Sequence, residues 1–205
     1  MLRPPTKPGA EATGSLAKLF ADAYKATVGI IRVELPSTGF PAFCRPGIVV
    51  ELVDPAQCLD QLRAVVEASD IGKPGSEPDF QASGLAGELQ SRPGREVWAW
   101  VARSDRAGPV PAGLVVLVCA GSGDSARWSI GWLAVNPASR RQAIGMALVA
   151  TAVRFAADRG ASVVHAETLA KWPAAVAFWE AARLAAFRHL ATLQGSGESR
   201  KTAEG

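Results

Sequence analysis

The fold turns on the stretch Leu133-Ala134-Val135-Asn136-Pro137-Ala138-Ser139-Arg140-Arg141-Gln142-Ala143-Ile144-Gly145, because the hydrophobic period changes within it. Before it, apolar side chains alternate as in a strand; after it they recur at helical spacing. Pro137 ends the strand and small residues fill the turn. The spacing then predicts a helix over Arg140–Arg159, with Ile144, Ala147, Leu148, Thr151, Ala152 and Phe155 on one face and Gly160 as the stop. The first turn of a helix leaves about four amide donors without partners and carries about half a positive charge, which suits a phosphate. Arg140 and Arg141 are the wrong sign for that end of a helix dipole, so they cost stability unless an anion arrives. Ala143 and Gly145 leave the main chain open to close approach.

Working outward, Glu96–Ala102, Ala112–Ala120 and Ala126–Val135 read as an antiparallel meander with turns at Arg103–Pro109 and Gly121–Ser125. Upstream, Ile48–Val53 is a β-branched run. Asp54-Pro55 then predicts a capped helix through about Ala68, with Cys58, Leu59, Leu62, Val65 and Val66 at helical spacing. A polar segment, Ser69–Asp79, precedes a second helix over Phe80–Gln90. Downstream, Val163–Glu167 reads as a strand, Pro173 opens a helix through at least Arg183, and Leu184–Leu193 reads equally as helix or strand. Ahead of all this lie a helix over Ser15–Thr27, a strand over Val28–Leu35 and a Pro/Gly-rich break from Pro36 to Gly47. The expected organisation is an N-terminal extension (1–47) with a mobile start, a domain over 48–194 and a disordered tail (195–205). The fold class is α/β (α+β): a mixed, mainly antiparallel central sheet with flanking helices.

The decisive stretch resembles the acetyl-CoA signature of the GNAT superfamily of N-acetyltransferases: Arg or Gln, two variable residues, Gly, one variable residue, then Gly or Ala. Arg140 matches the first position and Gly145 the last; Ala143 stands where the first glycine is usual. The similarity runs from about Ile48 to Arg183. It implies a GNAT-like fold, acetyl-CoA as acyl donor and direct attack of an amine on the thioester. It also implies cofactor contacts from Leu133, Ala134, Val135, Arg140, Arg141, Gln142, Ala143, Ile144, Gly145, Met146 and Trp172. A main-chain N–H on the strand ending Leu133-Ala134-Val135 would polarise the thioester carbonyl.

Two departures bear on catalysis. Relatives with Glu-Ile-Gly-Trp on this strand often use the carboxylate as a base, whereas this chain has Ser129-Ile130-Gly131-Trp132. The family's tyrosine acid in the following helix is replaced by Trp179, whose indole N–H does not titrate near neutral pH. Acid and base each supply roughly 10²- to 10⁴-fold, so a slow enzyme is expected. The catalytic candidates are Glu167, Ser129 and Trp179. His165, on the same strand face as Glu167, and the turn residue Asp124 are further replacements for the base, and the only tyrosine, Tyr24, lies in the extension. The alternative function is a non-catalytic acyl-CoA-binding sensor or partner-binding module.

Composition bounds the remaining classes. The chain has 205 residues, 48% of them hydrophobic and 20% charged, with a net charge of +3. That excess is mild and scattered, which argues against nucleic acid as a partner. No apolar run reaches the roughly 18 residues of a membrane span, and the proline-rich start lacks a signal-peptide core, so a cytoplasmic location away from membranes is expected. Cys44, Cys58 and Cys119 fit neither a zinc nor a redox spacing, so free thiols and no metal are expected. The acceptor is a small-molecule amine or a peptide or protein amine, and a homodimer is compatible with this reading.

Overall fold

The computed structural model describes residues 30–37, 40–43, 45–69, 82–90, 92–105, 110–170 and 172–186. The helix expected over Ser15–Thr27, Tyr24, Cys44 and the tail 195–205 lie outside the described residues. Six strands are observed: β1 (Ile30–Pro36), β2 (Ile48–Val53), β3 (Arg95–Ser104), β4 (Gly113–Ala120), β5 (Arg127–Val135) and β6 (Val163–Leu169). They form one sheet in the order β1-β6-β5-β4-β3-β2, antiparallel except for the parallel β5–β6 pair. Three helices, α1 (Leu59–Ala68), α2 (Ala82–Glu88) and α3 (Ile144–Ala157), are joined by α4 over residues 173–186.

The sheet separates two cores. On one face Trp100, Val115, Leu117, Trp128 and Ile130 pack with Ile144, Leu148, Ala152 and Val153 of α3 and Trp179 and Ala182 of α4. On the other, Val101, Leu114, Val116 and Trp132 pack with Leu62, Val65 and Val66 of α1 and Leu85 of α2. β4 lies between them and is buried on both faces from Gly113 to Cys119, which is why its sequence shows no polar alternation. Gly113 has a steric reason: a Cβ there would stand 2.9 Å from the Ala134 carbonyl oxygen and 3.0 Å from Leu148 Cδ1. Its absence lets the first turns of α3 lie directly on the sheet.

Two expected boundaries move, and one open reading is settled in part. The helix after Asp54-Pro55 begins only at Leu59. The Asp54 carboxylate instead accepts the Ala56 amide at 2.9 Å, and its carbonyl accepts the Gln57 and Cys58 amides, so it closes a turn rather than capping α1. The helix expected from Arg140 begins at Ile144, because Arg141 and Ala143 both have φ of 62°, a left-handed backbone that no α-helix contains. At the far end, residues 184–186 continue α4, which resolves that part of Leu184–Leu193 as helix; residues 187–193 lie outside the described residues.

The strand expected over Val28–Leu35 is β1, and it pairs with β6 over its whole length, from Ile30↔Leu169 to Pro36↔Val163. The sheet therefore reaches back across the boundary expected at residue 47.

Candidate functional site

The site begins with a fault in β5. Along β4 the ladder runs Val116↔Trp132 and then Leu117↔Ile130, so Gly131 is an inserted residue with no partner. One extra residue reverses side-chain parity. Trp128 and Ile130 belong to the α3 core, whereas Trp132 and Ala134 belong to the α1/α2 core. The same point ends the pairing with β6, which covers only Trp128↔Val164, Ser129↔His165 and Ile130↔Ala166. Beyond Ile130 the two parallel strands part. Main-chain groups of Gly131–Val135 that point away from β4 thus face a cleft instead of a ladder, among the described residues. Such an edge suits an extended ligand with amide groups of its own.

The cleft leads to the loop before α3. Asn136 accepts the Ala138 amide on its side chain at 3.1 Å, and Pro137–Ser139 form a short 3-10 turn. Arg140 is extended, and then two residues at φ 62°, Arg141 and Ala143, flank Gln142. Alternation of this kind turns successive amides toward one concavity, an anion-binding nest. Among the described residues, the amides of Arg141, Gln142, Ala143, Ile144, Gly145 and Met146 donate to no backbone acceptor; the next, Ala147, returns to the Ala143 carbonyl at 3.0 Å. The basic side chains thus lie in the loop, exposed, and not in the helix's first turn as the spacing suggested. The repulsion that two arginines would meet there is correspondingly relaxed.

Gly145 has a role that its motif position did not indicate. A Cβ there would lie 3.0 Å from Phe178 Cε2 and 3.3 Å from Cζ, so the missing side chain makes room for α4 rather than only for a ligand. Ile144 and Gly145 are buried, Met146, Gln142 and Ala143 half-buried. On β5, Ala134 is buried while Leu133 and Val135 are half-buried and pack against the α3 core. Trp172 is half-buried just ahead of α4, with its amide on the Leu169 carbonyl at 3.0 Å.

The catalytic candidates fall in different surroundings. Trp179 is buried in the core with Phe178 edge-on to it, ring centroids 5.1 Å apart. Glu167 is exposed where β6 leaves β5, and it accepts two bonds from the Arg32 guanidinium, the shorter at 2.7 Å. Ser129 is half-buried directly beside His165. Asp124 sits in the 3-10 turn Gly123–Ser125 between β4 and β5, as a turn former does. The Cys119 thiol is buried in the α3 core, and burial, followed by the nearby Glu96 carboxylate, pushes its pKa up from the ordinary value. A reactive nucleophile needs the opposite shift.

Two acidic groups escaped the sequence reading. Glu88, at the end of α2, reaches the inserted residue: a Cβ on Gly131 would lie 3.5 Å from its Oε2. Arg95 holds it there by an ion pair and also donates to the Glu88 carbonyl at 2.8 Å and the Gln90 carbonyl at 2.9 Å. Glu34 of β1 pairs in register with His165, its Oε1 3.9 Å from the ring Nδ1. Neither had a local signal, because each depends on pairing or docking between segments far apart in sequence.

The model of the acetyltransferase (GNAT) family matches residues 67–183. No curated protein matches the chain. Among solved structures, the aminoglycoside acetyltransferase meta-AAC0020 from an uncultured soil metagenomic sample, in complex with trehalose, is 20% identical over 67% of this chain and 88% of its own, with a TM-score of 0.52. A tandem GNAT protein from the clavulanic acid biosynthesis pathway is 15% identical over 87% of this chain and 55% of its own, with a TM-score of 0.54. At these identities the likeness is one of fold.

Proposed function

Because the chain belongs to the acetyltransferase (GNAT) family, we infer that it moves an acetyl or other acyl group from acetyl-CoA to an amine by direct attack on the thioester. The observation that carries this reading is the run of bare amides from Arg141 to Met146 at the mouth of the cleft where β5 leaves β6. In it, the nest and Arg141 hold the diphosphate, the unpaired edge of Gly131–Val135 receives the pantetheine amides, and an amide beside Gly131 faces the thioester carbonyl. Holding both reactants at that point supplies much of the rate. The likeness in fold to an aminoglycoside acetyltransferase supports a small-molecule amine as acceptor. No described helix is long and apolar enough to cross a membrane.

The test is calorimetric. Arg141→Glu puts a carboxylate beside the nest and removes a charged donor worth about 1.5–3 kcal/mol, so coenzyme A affinity is expected to fall about 10- to 150-fold with the melting curve little changed. Undiminished affinity sinks the assignment. A second reading, a non-catalytic acyl-CoA-binding module, is favoured by one observation: Ser129 is no base and Trp179 is sealed in the core. Release of free thiol from acetyl-CoA in the presence of simple amines separates the two.

A further inference from the structure

We propose that His165 is the general base of this site, with Glu34 as the residue that positions its ring. This rests on the acyl-transfer reading. Side-chain parity puts Ser129, His165 and Glu34 in one row across β5, β6 and β1, on the face away from α3, since Ile130, Ala166, Val33 and Leu35 all point into the α3 core. The row lies one residue short of where β5 and β6 part. Among the described residues α3 and α4 cover the opposite face, which leaves the side on which His165 stands as the approach for an acceptor to a thioester in the cleft.

The ring's own environment points the same way. Among the described residues, His165 Nδ1 is the buried side-chain polar atom with no hydrogen-bond partner, yet the side chain as a whole is 36% exposed. The exposure therefore lies on the rest of the side chain, and Nε2 is the ring nitrogen left to meet an acceptor. A buried polar atom without a partner is costly and calls for an explanation. Glu34 Oε1 stands 3.9 Å away on that side of the ring, where it favours the tautomer with the proton on Nδ1. The competing carboxylates are already engaged, Glu88 with Arg95 and Glu167 with Arg32. In the step, the ammonium proton of the acceptor passes to His165 Nε2 and the freed amine nitrogen bonds to the thioester carbon. The C–S bond breaks as the nitrogen of the adduct gives its second proton to water, and the departing thiolate takes a proton from water, so amide and free thiol leave with one proton held by His165.

Two measurements test this, one of them without turnover. The chain has two histidines, so ring nitrogen spectra of the free protein carrying His189→Gln report His165 alone. The Nδ1–H tautomer is expected, and the Nε2–H tautomer overturns the proposal. Thiol release is then followed at pH 7 with acetyl-CoA and either n-butylamine, which arrives protonated, or methoxyamine, which arrives neutral. His165→Gln is expected to lower kcat about 100-fold with butylamine and less than about 3-fold with methoxyamine, at unchanged coenzyme A affinity. Glu34→Gln is expected to lose about 10-fold with butylamine alone, restored in part by Glu34→Asp. Full activity of His165→Gln, or equal losses with both amines, overturns the base assignment and leaves acyl transfer standing. A wild-type protein that binds coenzyme A but releases no thiol with either amine overturns acyl transfer and the assignment with it.

Discussion

Adding one methyl group at Gly145 probes how α4 closes over the start of α3. The new Cβ would stand 3.0 Å from Phe178 Cε2, 3.3 Å from Cζ and 3.6 Å from Val135 Cγ2. Carbon atoms pack best at about 3.5–4.0 Å, so the ring must retreat by roughly a few tenths of an ångström. Its retreat is resisted by Trp179, which meets it edge-on at 74° and is itself buried. Overpacking of this kind costs about 1–3 kcal/mol, against at most about 1 kcal/mol gained when alanine replaces glycine in a helix. The clash wins: Gly145→Ala is expected to lose about 1–2 kcal/mol, a fall in Tm of about 2–8 °C for a chain of this size. Thermal melts of four proteins decide it: wild type, Gly145→Ala, Phe178→Leu and the pair. With Phe178→Leu the obstruction is gone, so the same Gly145→Ala change should become neutral or stabilising by up to about 1 kcal/mol. Equal losses in both backgrounds would refute the packing role given to this glycine.

Two further outcomes follow from local geometry. Ala143 holds φ 62° where L residues are strained, so Ala143→Gly is expected to raise stability by about 1 kcal/mol, or about 2–4 °C in Tm, measured by the same melts. A drop in Tm would mean that the loop does not keep this backbone. The Cys119 pKa is raised, so at pH 8 its thiolate fraction is below that of an ordinary thiol and increases only as pH climbs further. Iodoacetamide should therefore label Cys119 more slowly than the half-buried Cys58, and Glu96→Gln should speed it, as read by mass spectrometry of peptides. Faster labelling of Cys119 than of Cys58 in the native protein would contradict its placement.

What the sequence disclosed and what it withheld divide along the range of the interactions involved. β3 and β5 are legible by local alternation, β4 by a short apolar run between local turns, and Ile48–Val53 is found where its β-branched run lies. The loop before α3 is legible in place but not in form. Arg141 and Ala143 carry no glycine to announce a left-handed backbone, so the helical spacing ran on through them. The inserted residue leaves as its mark only an isolated glycine, Gly131, within a strand run, because a bulge is a relation between two strands and the pairing that defines it is not written in either. The docking of Glu88 over Gly131, and of Glu34 beside His165, depends on the same non-local relations. Hence the loop before α3 could be located from the residues, while the docking of Glu88 and Glu34 could not.

The pairing of β1 with β6 also sets a timetable. Arg32 and Glu167 are 135 residues apart, so at a synthesis rate of about 5–20 residues per second the first strand leaves the ribosome roughly seven to twenty-seven seconds before its neighbour exists. Through that interval Ile-Ile-Arg-Val-Glu-Leu is an unclaimed sticky edge. Arg32 and Glu34 interrupt its apolar run with charge and so discourage premature association with other nascent chains.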